Sequence, residues 1–140
     1  MSERITDSLR NEIENRAGSR CEYCRLPQQL RVVRFPVDHI IAIKHSGKTE
    51  ESNLALACSS CNLHKGSDIT SIDPNTGKIV TLFNPRINKW EEHFYLDIQS
   101  GRIEGKTPEG RVTTRLLQFN TTERIQERTS LLEIGEFWEG

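Results

Sequence analysis

The stretch VDHIIAIKHSGKTEESNLALACSSCNLHKG, residues 37–66, sets Asp38 beside His39 and then adds Asn53, Cys58, Cys61 and Asn62. Few 30-residue spans gather so many groups able to hold a metal or move a proton, and the reading of this one decides the fold. Val37, Ile40, Ile41 and Ile43 are β-branched, and with Val32, Val33 and Phe35 upstream they predict a strand around Asp38 and His39. HSGKTEES is turn chemistry, Leu54 to Ala57 a short apolar run, and SSCNLHKG a brief helix expected to be capped by Ser59 and ended by Gly66. Strand, loop, strand and helix follow one another within this span.

Outward from it, Cys58 and Cys61 have counterparts in Cys21 and Cys24, giving CxxC, 33 intervening residues and CxxC. Two residues between thiolates let a tight turn aim both sulfurs at one point, and two such turns complete the tetrahedral S4 shell that zinc favours. All four cysteines of the chain are used, so a structural zinc site is expected. Paired disulfides or a redox CxxC are the rival reading. The lack of a thioredoxin-like strand-helix-strand pattern and of a secretory leader speaks against both. A closed S4 site has no open position and is not itself catalytic.

The composition fits that reading. The hydrophobic share of 34% and aromatic share of 6% are low, so a core of this size gains from metal support. No apolar run reaches the length of a membrane span, and a soluble cytoplasmic protein is expected. The net charge of −1 argues against a histone-like binder of nucleic acid, yet Arg16, Arg20, Arg25, Arg31 and Arg34 are opposed by Glu22 alone, a basic run beside the first cysteine pair.

Elsewhere, Ile5, Leu9, Ile13 and Ala17 recur every four residues and predict a helix stopped at Gly18. Beyond Ser67, DPNTGK predicts a turn, WEEHF a short helix, DIQSGRIEG a hairpin and TPEGRVTTRLLQF a helix start. Asn120 with Glu123 suggests a capping box opening a last helix. Phe83, Trp90 and Phe94 are expected in the core. Arg86 is a candidate phosphate contact, His45 is expected to be solvated, and His93 to be structural or near DNA.

CEYC, VDHI, the loop containing Gly47, NLALAC and CNLHKG, in that order, resemble the HNH endonucleases, specifically stand-alone bacterial members with a CxxC-bound zinc. The resemblance runs from about Arg16 to Asp68. It implies an α+β protein with a ββα-metal (HNH, or His-Me finger) core and a structural zinc, extended by a C-terminal hairpin and helices. Residues 1–70 would form the nuclease core with its N-terminal helix, and 71–140 an extension packed on it within a single domain.

The resemblance also implies roles. His39 would be the general base that takes a proton from water, Asp38 a ligand of a divalent metal, and Asn53 the fastening of the loop that orients His39. The third family position, often histidine, falls on Asn62, whose amide oxygen suits Mg2+ or Mn2+ better than zinc. His64 is a weaker rival for that slot and, with Lys65, is read as touching phosphate. Arg20, Arg25 and Arg34 would grip the backbone of DNA, double-stranded DNA being the expected partner. No small-molecule cofactor and no membrane partner are expected, and the oligomeric state is left open. The rival function is a zinc-stabilised nucleic-acid-binding module that does not cleave.

Overall fold

A computed structural model of the chain describes residues 4–28 and 34–137, so the expectations placed on Arg31, Val32 and Val33 lie outside the described residues. Helix α1 (Asp7–Arg16) starts where Thr6 Oγ1 accepts the Leu9 amide at 3.1 Å. Asp7 in its first turn and Arg16 in its last complement the helix dipole. Ile13 is fully buried, with Ile5, Leu9 and Ala17 packed against the same cluster, and Gly18 at φ +65° stops the helix.

The chain then makes a tight knuckle. Cys21 N–H donates to Leu26 O at 2.8 Å, Arg25 N–H to Cys21 O at 2.9 Å, and Cys24 N–H to Cys21 Sγ at 3.4 Å. Strands β1 (Val37–His39) and β2 (Leu54–Leu56) pair antiparallel with His39 opposite Leu54 and Asp38 opposite Ala55. Glu22 joins knuckle to strand: its amide donates to Leu56 O and its carboxylate accepts Leu56 N–H, each at 2.8 Å.

The strand expected through Ile43 is shorter, ending at His39. The cause is Asn53, whose Oδ1 accepts Ile41 N–H at 2.9 Å while its Nδ2 donates to Ile41 O and Lys48 O, also at 2.9 Å. A side-chain amide thus takes the bonds that a ladder partner would supply, and the chain curls into a single 3-10 turn at Ile43–His45. Gly47 closes this loop. A Cβ there would lie 1.7 Å from Ile41 O, so only glycine permits the approach.

Helix α2 (Ser59–Lys65) follows β2, ending at Gly66. Its cap is Cys58 and not Ser59: the Cys58 sulfur accepts Cys61 N–H at 3.4 Å, so one atom serves both helix start and cysteine cluster.

After α2 come the hairpin β3 (Thr70–Ile72) and β4 (Ile79–Thr81), the short helix α3 (Trp90–His93), the hairpin β5 (Phe94–Asp97) and β6 (Arg102–Gly105), then α4 (Pro108–Leu116) and α5 (Thr122–Glu133). Thr107 caps α4, with proline at its first position. The cap of α5 is Thr121. Asn120, expected to fill that role, instead brackets β6 through Ile103 N–H to Oδ1 at 2.9 Å and Nδ2 to Ile103 O at 2.8 Å.

One apolar cluster contains Leu54, Leu56 and the cysteines together with Phe83, Trp90, Phe94, Ile103 and Phe119. Phe94 lies 5.1 Å from Phe83 and from Trp90 and 5.7 Å from Phe119, ring centre to ring centre. Trp90 Nε1 donates to Tyr23 O at 2.8 Å, pinning α3 to the first knuckle. Among the described residues no helix is long and apolar enough to cross a membrane.

Candidate functional site

The knuckles at Cys21–Cys24 and Cys58–Cys61 face each other, and all four buried sulfurs lie within 4.8 Å of one another. Among the described residues they are the group of His, Cys, Asp or Glu donors close enough to share an ion. With zinc–sulfur bonds of about 2.3 Å, the edge of a tetrahedral S4 shell is about 3.8 Å. Cys24 Sγ to Cys58 Sγ is 3.7 Å. Burial pushes the Cys21 and Cys61 thiols well up, while hydrogen bonds from Cys21, Cys58 and Cys61 pull Cys24 well down. Buried sulfurs this close repel one another as anions, so ionising all of them calls for a cation in their midst.

Sequence reasoning missed the outer charge at this cluster. Arg124, from the first turn of α5, places Nη2 3.2 Å from Cys61 Sγ and 3.7 Å from Cys58 Sγ. Its Nη1 donates to Leu117 O at 2.7 Å and Gln118 O at 3.0 Å, which fixes the guanidinium. Thiolate charge offsets the cost of burying Arg124. No local pattern points from Arg124 to cysteines more than sixty residues earlier.

Asp38 is 4% exposed and deeply engaged. Its Oδ2 accepts the Tyr23 hydroxyl at 2.7 Å and lies 3.2 Å from Lys65 Nζ, while Oδ1 has Lys65 Nζ at 3.4 Å. Burial pushes the Asp38 carboxyl up from its ordinary range, opposed by Lys65 and the Tyr23 hydrogen bond. Lys65 is itself 2% exposed and also donates to Ile40 O at 3.0 Å and His39 O at 3.3 Å. The phosphate-contact reading of Lys65 is therefore corrected: its ammonium is spent inside the protein, clamping α2 to the end of β1.

His39, adjacent on β1, is half-buried, and its Nε2 meets Thr49 Oγ1 at 2.8 Å. Among the described residues Nδ1 has no hydrogen-bond partner. Asn53 holds the loop that carries Thr49, so ring orientation and loop closure share one anchor. Asn62, half-buried on α2, makes no side-chain hydrogen bond among the described residues. His64 turns back on its own helix, Nδ1 donating to Ser60 O at 2.7 Å, and the residue is half-buried. A cavity of about 350 Å3 lies nearby, lined by Ile40, Ile41, Ile69, Phe83, Ile87 and His93 among others. Asp38, His39 and Asn62 do not line this cavity.

The arginines are more occupied than their charge suggests. Arg16 donates to Glu51 O and Leu54 O at 2.8 and 2.6 Å. Arg25 stacks 5.0 Å from the Trp90 ring centre and pairs with Glu91 at 3.4 Å, and Arg34 pairs with Glu14 at 2.7 Å while its side chain stays half-exposed. Arg20 is half-buried in the bridge to Pro27. Arg86, expected to reach phosphate, is turned inward to Glu22. His93 bonds Thr107 Oγ1 at 2.6 Å and packs on Phe83, a structural role, and His45 is exposed.

No curated protein matches the chain. Residues 21–68, from the first cysteine through the paired strands to just past α2, match the HNH endonuclease family, and it is to HNH endonucleases that this span of the chain is similar.

Proposed function

We propose that the protein is a metal-dependent DNA endonuclease of the HNH type, acting in the reducing cytosol, with zinc held by Cys21, Cys24, Cys58 and Cys61. In this reading β1, β2 and α2 are the two strands and helix of a ββα-metal core, residues 1–70 carry the chemistry and 71–140 brace it. The S4 donor set, its 3.7 Å edge and the Arg124 counter-charge all suit zinc. The observation that carries the catalytic reading is His39: an imidazole fixed through Nε2 by Thr49, with Nδ1 unpartnered among the described residues, next to a carboxylate.

His39 Nδ1 takes a proton from water. The hydroxide attacks phosphorus, the bond to the 3′ oxygen breaks, and protonation of that oxygen leaves a 3′ hydroxyl and a 5′ phosphate. Thr49 and the Asn53-closed loop keep the ring aimed throughout. Asp38 and Asn62 supply hard oxygens, and the Asn62 amide, which makes no side-chain hydrogen bond among the described residues, suits a ligand's place. A Mg2+ or Mn2+ ion bound there would neutralise charge on the scissile phosphate and the departing oxygen. Arg20, Arg25, Arg34 and His64 remain the candidate DNA contacts, Arg25 and Arg34 exchanging their ion pairs with Glu91 and Glu14, each of little net strength, for phosphate.

Incubation with supercoiled plasmid and Mg2+ or Mn2+ tests this, with His39→Ala alongside. The expected result is nicked or linear product for the wild type and none for the variant at equal zinc content. Equal cleavage by both removes His39 from the mechanism, and binding without cleavage by the wild type favours the non-cleaving module.

A further inference from the structure

Tyr23 lies between the first two cysteines, in CEYC, yet its hydroxyl reaches Asp38 on β1. The ring is 1% exposed and packs edge-on to Phe83 at 6.5 Å and 80°. Its main chain is pinned by Trp90 Nε1 at 2.8 Å. A hydroxyl facing a carboxylate oxygen at 2.7 Å donates, so Tyr23 gives its proton to the bond with Asp38. Two pinned cysteines and a buried ring leave this donor little freedom to follow a moving acceptor.

A carboxylate oxygen accepts about two hydrogen bonds. Oδ2 of Asp38 accepts the short Tyr23 bond at 2.7 Å and has the Lys65 ammonium 3.2 Å away, whereas Oδ1 accepts, among the described residues, only the long 3.4 Å bond from Lys65 and keeps a lone pair for a cation. The three protons of Lys65 are already divided among Asp38, Ile40 O and His39 O. Turning the carboxylate to offer both oxygens to one cation would break the Tyr23 bond, and among the described residues only Lys65 otherwise donates to Asp38.

We infer that Tyr23 is a positioning residue: by holding Oδ2 from the cysteine knuckle, it makes Asp38 a one-oxygen ligand through Oδ1 and so favours a small octahedral cation over Ca2+. This rests on that part of the reading above that puts a divalent cation at Asp38. Mg2+ demands near-ideal octahedral geometry, while Ca2+ accepts two-oxygen carboxylates and higher coordination. The knuckle that holds the structural ion thereby also sets the stance of the catalytic carboxylate.

The test uses the full zinc-loaded chain. Free Mn2+ is titrated by electron paramagnetic resonance against wild type, Tyr23→Phe and Asp38→Asn, with Ca2+ competition. Tyr23→Phe is expected to weaken Mn2+ about tenfold and to narrow the preference over Ca2+, with zinc content unchanged. Asp38→Asn is expected to abolish the site. Unchanged Mn2+ affinity and Ca2+ competition in Tyr23→Phe overturn the inference, as does Mn2+ binding that is indifferent to Asp38→Asn. Should Tyr23→Phe lose zinc, the wild type alone decides: Mg2+-induced infrared difference bands, absent in Asp38→Asn, should show the carboxylate splitting of one-oxygen ligation, and two-oxygen splitting overturns the inference. Plasmid cleavage measured in parallel separates the failures, since Mn2+ bound at Asp38 without cleavage sinks the nuclease reading and leaves Tyr23 in place.

Discussion

Replacing Lys65 by methionine removes one ammonium while keeping a stem of similar length and apolar character. The wild-type Nζ is bonded to Asp38, Ile40 O and His39 O at 3.2, 3.0 and 3.3 Å in a site 2% exposed. Loss of one partner of a buried ion pair costs about 3–5 kcal/mol, because the other charge is left uncompensated. Tyr23 still donates to Asp38, which favours the lower end, about 3 kcal/mol near neutral pH. In urea at fixed excess zinc, with a slope of about 2 kcal/mol/M, the midpoint should fall by about 1.5 M, read by tryptophan fluorescence. The sign with pH follows from Asp38, whose carboxyl is already raised by burial and rises further without Lys65. A carboxyl raised on folding destabilises the protein where it must ionise, so the deficit is full near pH 7 and shrinks on acidification as the folded state takes up the proton. Lys65→Met with Asp38→Asn should recover most of the loss. A midpoint shift below about 0.3 M, or no rescue by Asp38→Asn, would refute the buried-pair reasoning.

Two further perturbations probe the cysteine cluster and the second half of the chain. Cys58→Ser should lose zinc and melt the fold, since a structural zinc contributes on the order of 10 kcal/mol, whereas Arg124→Ala should stay folded but release zinc to a chromophoric chelator about 10- to 100-fold more readily. Full zinc content with unchanged melting in Cys58→Ser, or wild-type retention in Arg124→Ala, would count against the respective role. Asp73 accepts both Arg111 Nε at 3.0 Å and Nη2 at 2.9 Å, and this guanidinium holds its carboxyl well below the usual range. A depressed carboxyl contributes stability above its unfolded value near ~4 and loses it as pH falls below. Asp73→Asn should therefore be less stable than wild type at pH 7 and lose less between about pH 4 and pH 2. Parallel urea midpoints for the two proteins across that range would show the Asp73–Arg111 pair to be idle.

The sequence by itself determined what is local. The spacing of Cys21, Cys24, Cys58 and Cys61 foretold a shared sulfur cluster, because a tight turn sets the aim of each pair within a few residues. The stripe from Ile5 to Ala17, the turn at DPNTGK and the hairpin at DIQSGRIEG were legible for the same reason: propensity, period and capping act over one or two turns of chain. Only the tertiary structure decided which polar side chains meet. Lys65 reads as a surface cation until α2 is laid against β1, and Tyr23 as a spacer until the knuckle is set beside Asp38. Arg124 gains its sulfur partners, and Asn120 its strand, from chain segments far away in sequence. Buried charge must find a partner wherever the fold puts one, and that choice is made by packing in three dimensions, where neighbours in sequence have no say.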